Sequence, residues 1–212
     1  MNRIILSCPT LKKELDLLLT EAGSDTPAVY LPSQLHSNPN QLHAFLQSQI
    51  ALQPEGTEQI LLCVSGCGGA ARGLKVTTAE LVIPKTQDCI DILLSQNSAH
   101  NILRTANGIF LTESWMEFFK KSSLDYQAMT AKFGKERAEE RLKQIYQGFE
   151  HFYIIDTATY DLRPVVDYIQ PLIKLLDGTL ETIHGNCGVL RKIVSGNLDK
   201  DFEIVPKGSV SS

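Results

Sequence analysis

Short apolar runs rich in isoleucine, valine and leucine recur along this chain and alternate with stretches of helical periodicity. That alternation predicts βα units around a mostly parallel sheet. The runs predict strands at 3–7, 28–31, 59–64, 80–83, 108–111, 152–155, 180–184 and 202–205. Between the first two, Leu11, Leu15, Leu18, Leu19 and Ala22 share one helical face, and Gly23 supplies a stop. Asn38-Pro39 opens a second helix whose inward face is Leu42, Phe45, Leu46 and Ile50. Further helices start near Asp88, Arg163-Pro164 and Asn186. The expected fold is α/β and Rossmann-like, a single domain over 1–212 divisible into two packed halves, 1–112 and 152–206.

The segment 113–151 breaks the rhythm, with no strand pattern and many helix formers. Trp115, Phe118 and Phe119 come first, then Ala138, Leu142, Ile145 and Phe149 on one stripe among charges. It reads either as a lid or partner-binding helix over a cleft, or as helices packed on the sheet. The tail from Lys207 to Ser212 is expected to fray.

With 212 residues, 43% of them hydrophobic, the chain can bury a sizeable core. Its net charge of −4, with both signs interspersed, leaves no basic face for a run of phosphates, so nucleic acid is not an expected partner. No apolar stretch is long enough to span a membrane. The apolar start is cut short by Pro9 and Lys12-Lys13 before it could serve as a secretion signal. A cytoplasmic, reducing location is therefore expected, in which the five cysteines are thiols: core residues, metal ligands or reactive groups.

Parallel α/β sheets bind ligands at the carboxyl ends of their strands, where the following helices point their amide groups. Cys8 follows the first predicted strand, His36 lies in the loop after the second, Cys67 follows the third and Cys89 follows the fourth. Cys187 occupies a similar junction later in the chain, whereas Cys63 falls inside a strand and reads as a small core residue. Three thiolates and an imidazole from separate loops suit tetrahedral zinc, or iron. Alternatively, Cys67 or Cys89 is a nucleophile activated at a helix start, with His36 as base and Asp88 or Asp91 nearby. A third alternative leaves these cysteines as inert buried thiols.

Gly66-Cys67-Gly68-Gly69-Ala70-Ala71 satisfies the dinucleotide pattern G-x-G-x-x-A, but it follows the third strand and the next strand ends in Pro84-Lys85 with no acid for a ribose. NAD is therefore not expected. The glycines Gly66, Gly68 and Gly69 are instead expected to bring backbone N–H groups close to an anion or a metal-bound sulfur. Arg72 just beyond the loop could bind a carboxylate or phosphate, or be solvated. Asp156-Thr157 could reach the same face or cap a helix. His43, His100, His151 and His184 show no ligand spacing.

The segments LPSQLHSNP, VSGCGG, LVIPKTQDCIDILL, GIFLTESW and DFEIVPKG, in that order, resemble the bacterial and archaeal family called domain of unknown function 1638. The likeness runs from Cys8 to Gly208. Carried over position by position, it marks Cys8, His36, Cys67, Asp88 and Cys89, together with Gly66, Gly68, Pro84 and Trp115. It also implies an association with corrinoid-dependent methyltransferases of anaerobic one-carbon metabolism, and so the handling of a metal, a corrinoid or a methyl group. This chain departs from the pattern at Gln87, where a histidine is expected, and at Val64-Ser65, where the glycine loop lacks an aromatic. Cys187 lies outside the pattern.

Together these readings predict a cytoplasmic protein that binds zinc or iron through Cys8, His36, Cys67 and Cys89, with Gly66, Gly68, Gly69, Arg72 and Trp115 as ligand-binding residues. Its expected partners are a small molecule or corrinoid and methyltransferase proteins. The alternatives are a metal-free thiol transferase or hydrolase using Cys67, Cys89 or Asp88, and a non-catalytic small-ligand carrier.

Overall fold

The apolar runs of the sequence form the strands. The computed structural model describes residues 2–64, 66–100 and 102–212, with the side chains of His36 and Ser37 outside the described set. Its elements are β1 (Arg3–Ser7), α1 (Lys12–Glu21), β2 (Ala28–Tyr30), α2 (Pro39–Ala51), β3 (Gln59–Cys63), β4 (Glu80–Pro84), α3 (Cys89–Leu94) and β5 (Gly108–Leu111). There follow α4 (Glu113–Phe119), α5 (Tyr126–Phe133), α6 (Lys135–Ile145), β6 (His151–Asp156), α7 (Arg163–Leu176), β7 (Thr179–His184), α8 (Gly188–Ser195) and β8 (Phe202–Val205). None of the helices is long and apolar enough to cross a membrane, among the described residues.

Two compact units result: Met1–Ile102 with Asn186–Ser212, and Leu103–Gly185. The division thus runs at 102/103 and 185/186 and not at the edges of the helical segment. Strand pairing explains why. β5 pairs with β6 and β6 with β7, whereas β8 returns to pair with β4.

In the first unit the strand order is β2-β1-β3-β4-β8. The first four strands are parallel, and β8 runs antiparallel, placing Val205 opposite Leu81 and Phe202 opposite Pro84. A parallel sheet covered on both faces has strands that read as continuous apolar runs. Ile60, Leu61, Leu62 and Cys63 of β3 accordingly expose 1% or less of their surface. Leu6, Ile60, Leu62 and Ile83 pack with Leu42, Leu46 and Ile50 of α2, and α8 packs against both α1 and α3. From β1 the chain adds β2 on one side and then β3 on the other. The direction of winding reverses between β1 and β3, and such a reversal opens a crevice at the carboxyl ends of the two strands.

The C-terminal tail is not frayed. Ser211 is buried and its hydroxyl donates to Ala71 O at 2.7 Å while accepting Leu74 N at 2.8 Å. Val210 bridges Lys75. The tail therefore braces the segment that follows the glycine loop, with hydrogen bonds that periodicity does not reveal.

The second unit holds the parallel sheet β5-β6-β7. Met116, Met129, Ala138 and Leu142, from α4, α5 and α6, pack with Phe152 and Ile154 of β6 and with Val165, Ile169 and Leu172 of α7. The helical segment is thus packed on its sheet. Its stripe is shorter than predicted: Ala138 and Leu142 are fully buried, but Ile145 and Phe149 are 45% and 37% exposed, because α6 stops at Ile145.

Candidate thiol site at the switch of winding

Cys8 continues the ladder beyond β1, its N–H donating to Cys63 O at 3.2 Å. A residue before proline is pushed toward extended backbone, and Cys8 adopts φ −59°, ψ 135°. Pro9 then starts a 3₁₀ turn, Pro9–Leu11, closed by Leu11 N–H donating to Cys8 O at 3.1 Å. This turn brings Thr10 back onto Cys8, with Oγ1 and Sγ 3.0 Å apart and both residues buried.

The glycine loop follows β3. Gly66 N–H donates to Thr86 O at 3.2 Å and Cys67 N–H to Gln87 O at 2.9 Å, so the loop after β3 is laced to the loop after β4. A Cβ on Gly66 would stand 2.7 Å from Gln87 O, and one on Gly68 would stand 2.7 Å from Pro39 Cγ. Glycine is needed here for close approach. Gly69 and Ala70 N–H groups turn back to Gly66 O. The N–H groups of Gly66, Cys67, Gly69 and Ala70 therefore already have acceptors inside the protein, including two of the three glycines expected to face an anion. Cys67 sits at φ 34°, a left-handed conformation that non-glycine residues adopt at a cost of about 1–3 kcal/mol and that tends to occur at functional sites. It is half-buried.

Cys89 is the first residue of α3. Asp88 caps that helix: its Oδ1 accepts Ile90 N–H at 2.9 Å and Asp91 N–H at 3.2 Å. Asp91 is buried and its Oδ2 accepts Gln87 N–H at 2.8 Å. Both carboxylates thus shape the turn that presents Cys89. The thiol of Cys89 is held well above the ordinary cysteine range, first by its hydrogen bond with Cys8 and then by burial; the charge of Cys67 adds to the effect, and a hydrogen bond from Thr10 opposes it. Cys8, Cys89 and Thr10 therefore form one hydrogen-bonded group at the carboxyl ends of β1 and β4, with Cys67 as its electrostatic neighbour.

The remaining predicted residues divide clearly. The side chain of His36 lies outside the described residues; its backbone lies in a 3₁₀ turn, Ser33–Ser37, before α2. Arg72 is exposed, and its side chain has no hydrogen-bond or ion-pair partner among the described residues. Trp115 belongs to the second unit, where it stacks on Phe119 with ring centroids 4.6 Å apart and packs against the core. Asp156 closes a turn by accepting Ala158 N–H at 2.9 Å and caps no helix. Cys63 is fully buried, and burial pushes its thiol far up. Cys187 is pushed up to about 12 by burial, and its charged neighbours are Glu14 and Arg191 rather than the other thiols.

Two residues escaped the sequence reading. Thr10 could have been found from Cys8-Pro9-Thr10, since a turn begun by proline folds the residue after it back toward the residue before it. His43 carries no such signal: its Nδ1 meets Ala70 O at 3.1 Å and ties α2 to the glycine loop across 27 residues of chain.

Among the described residues, no group of three or more His, Cys, Asp or Glu side chains is arranged to hold a metal ion. What is present is a thiol pair with a third sulfur on a neighbouring loop. No curated protein matches the chain, and no solved structure matches it. The sequence model of the family described as Protein of unknown function (DUF1638) matches residues 30–194, a span that includes His36, Cys67 and Cys89 and starts after Cys8. By that match over most of its length, the chain belongs to this family of proteins of unknown function.

Proposed function

We propose that this protein is a cytoplasmic metal-binding protein of methyl-transfer or corrinoid metabolism, accessory or enzymatic. In this reading Cys8, Cys67 and Cys89 supply sulfur and His36 supplies nitrogen to a zinc or iron ion. The observation that carries the reading is the hydrogen bond between the buried thiols Cys8 and Cys89, residues 81 positions apart that meet where the winding of the sheet reverses. The donor chemistry fits: thiolates are soft ligands, and a buried, hydrogen-bonded thiol pair can give up its protons to a metal ion on binding. Cys67 completes the sulfur set from a loop already laced to the one presenting Cys89. A bound metal would supply Lewis acidity, lowering the pKa of a coordinated thiol or water. The methyl-transfer context rests on the sequence resemblance described above.

A second reading, a metal-free transferase or hydrolase, draws on the exposure of Cys67, which is greater than that of Cys8 or Cys89. The nucleophile would then be Cys67, because Cys89 is held protonated. Metal analysis of anaerobically purified protein separates the two. The first reading expects stoichiometric zinc or iron that is lost in Cys8→Ser and Cys89→Ser and kept in Cys187→Ser. Metal-free protein in which Cys67 alone alkylates rapidly at neutral pH would replace it with the second.

A further inference from the structure

The second unit contains an open cavity of about 710 Å³ between the segment that follows α4 and the helices α5 and α6. Lys121, Lys132 and Arg141 line it, together with the apolar side chains of Leu124, Met129 and Ile145. No acidic side chain is among its lining residues. The three cations come from three successive segments of chain, so their convergence is a product of the fold and not of one solvated helix face. None of them is in an ion pair among the described residues, whereas the nearby Lys120 and Lys135 are paired with Glu117 and Glu139.

Two of the cations are also oriented. The guanidinium of Arg141 lies 4.1 Å from the centroid of the Phe133 ring, and the ammonium of Lys132 lies 5.2 Å from the same centroid. Cation–π contact holds both heads beside the cavity without neutralising them. Ile145, almost half exposed, adds an apolar wall that solvent does not favour. Sites for small molecules combine this kind of volume and apolar lining with a few convergent polar groups.

We propose that this cavity binds a small organic anion, its acidic head set among Lys121, Lys132 and Arg141 and its apolar body against Leu124, Met129 and Ile145. The site is independent of the thiol group in the first unit. Fluorescence titration with anilinonaphthalene sulfonate, an aromatic sulfonate, tests it, with uncharged phenylnaphthylamine as the comparison probe. Saturable binding of one sulfonate per chain is expected. Its affinity should fall about tenfold or more in Lys121→Gln and Arg141→Gln, the loss expected for a charge-assisted contact. Arg141→Lys should restore much of it. Lys143→Gln, which removes a charge from α6 outside the cavity, should change the affinity less than about twofold, as expected for a screened surface charge. The two cation–π contacts with Phe133 are made by Lys132 and Arg141, so the Lys121 variant tests the charge with both of them kept. Equal binding of the uncharged probe, equal loss in Lys143→Gln, or no saturable binding would each overturn the proposal.

Discussion

After β5 and β6 in the second unit, the polar groups at the strand ends close on their own turns. Thr112 Oγ1 accepts Trp115 N–H at 3.1 Å, Asp156 Oδ1 accepts Ala158 N–H at 2.9 Å, and Thr157 meets Thr159 at 2.9 Å. After β1, β3 and β4 in the first unit, the corresponding places hold Cys8, Cys67 and Cys89: Cys8 meets Thr10 of its own turn and also Cys89, and Cys67 N–H donates to Gln87 O of another loop. Groups that satisfy one another within three residues build a turn and have little left for a ligand. Groups that meet only through the fold are held in place by three strands at once, which is the arrangement a binding site requires. Cys187 is the control inside the first unit: it also sits at a helix start, yet the charged groups that act on it are Glu14 and Arg191.

The contrast breaks most readily at Gly66. Alanine there would drive a Cβ against the backbone of Gln87, and we expect a loss of about 2–4 kcal/mol in urea unfolding, as for other substitutions that force backbone apart. Alanine at Gly69, which has open space and only a φ of +89° to contend with, should cost about 1 kcal/mol. Similar losses at the two positions would contradict the lacing of the two loops.

In the second unit the largest polar effect is expected at Asp125. It caps α5 by accepting Ala128 N–H at 2.8 Å and also accepts the Tyr168 hydroxyl at 2.5 Å. Asp125→Ala should cost about 2 kcal/mol, the sum of a lost cap and an orphaned hydroxyl. A change no larger than that of an exposed residue would show that the cap is not formed.

Thr10→Val and Thr157→Val compare the strand ends directly. The buried Thr10 hydroxyl serves thiols from two loops, so its removal should cost about 1 kcal/mol. The half-buried Thr157 hydroxyl meets Thr159, two residues on in its own turn, and should cost less than about 0.5 kcal/mol. Thermal unfolding of both variants measures the difference, and the reverse order would sink the comparison.

A smaller effect appears with pH. Burial pushes the Tyr146 hydroxyl up to about 12, while an unfolded tyrosine titrates near 10. Below pH 10 both states keep the proton and stability is unaffected. Above it the unfolded chain loses the proton first, so stability falls as pH rises from about 10 toward 12. Tyr146→Phe should flatten part of that decline in urea midpoints measured across this window; an unchanged slope would place the hydroxyl in water.

Much of the fold could be read from the sequence because parallel strands buried on both faces write their own signature: β1, β3 and β4 are unbroken apolar runs. The start of α2 was equally legible, since Asn38 accepts Gln41 N–H at 3.1 Å as a cap before Pro39. The grouping into units was not, because nothing local in β5 says that it pairs with β6 and not β4. Strand-end position pointed to Cys8, Cys67 and Cys89, and the fold makes Cys8 a hydrogen-bond partner of Cys89 and Cys67 its electrostatic neighbour. Strand-end position also drew attention to Cys187, because position along a strand cannot say which loops lie side by side. The glycines pose a different difficulty: a glycine required for close approach and one that frees an N–H for a ligand look alike until the acceptors are known.

The central claim is that Cys8, Cys67 and Cys89 act together as one thiol site. Anaerobic titration with cobalt(II) measures this most directly, because the sulfur-to-cobalt charge-transfer band grows with the number of coordinated thiolates. The account predicts one equivalent of cobalt with a three-thiolate band that is weakened or lost in each of Cys8→Ser, Cys67→Ser and Cys89→Ser and is unchanged in Cys187→Ser. No band at one equivalent, or the same loss in Cys187→Ser as in the other three, would contradict it.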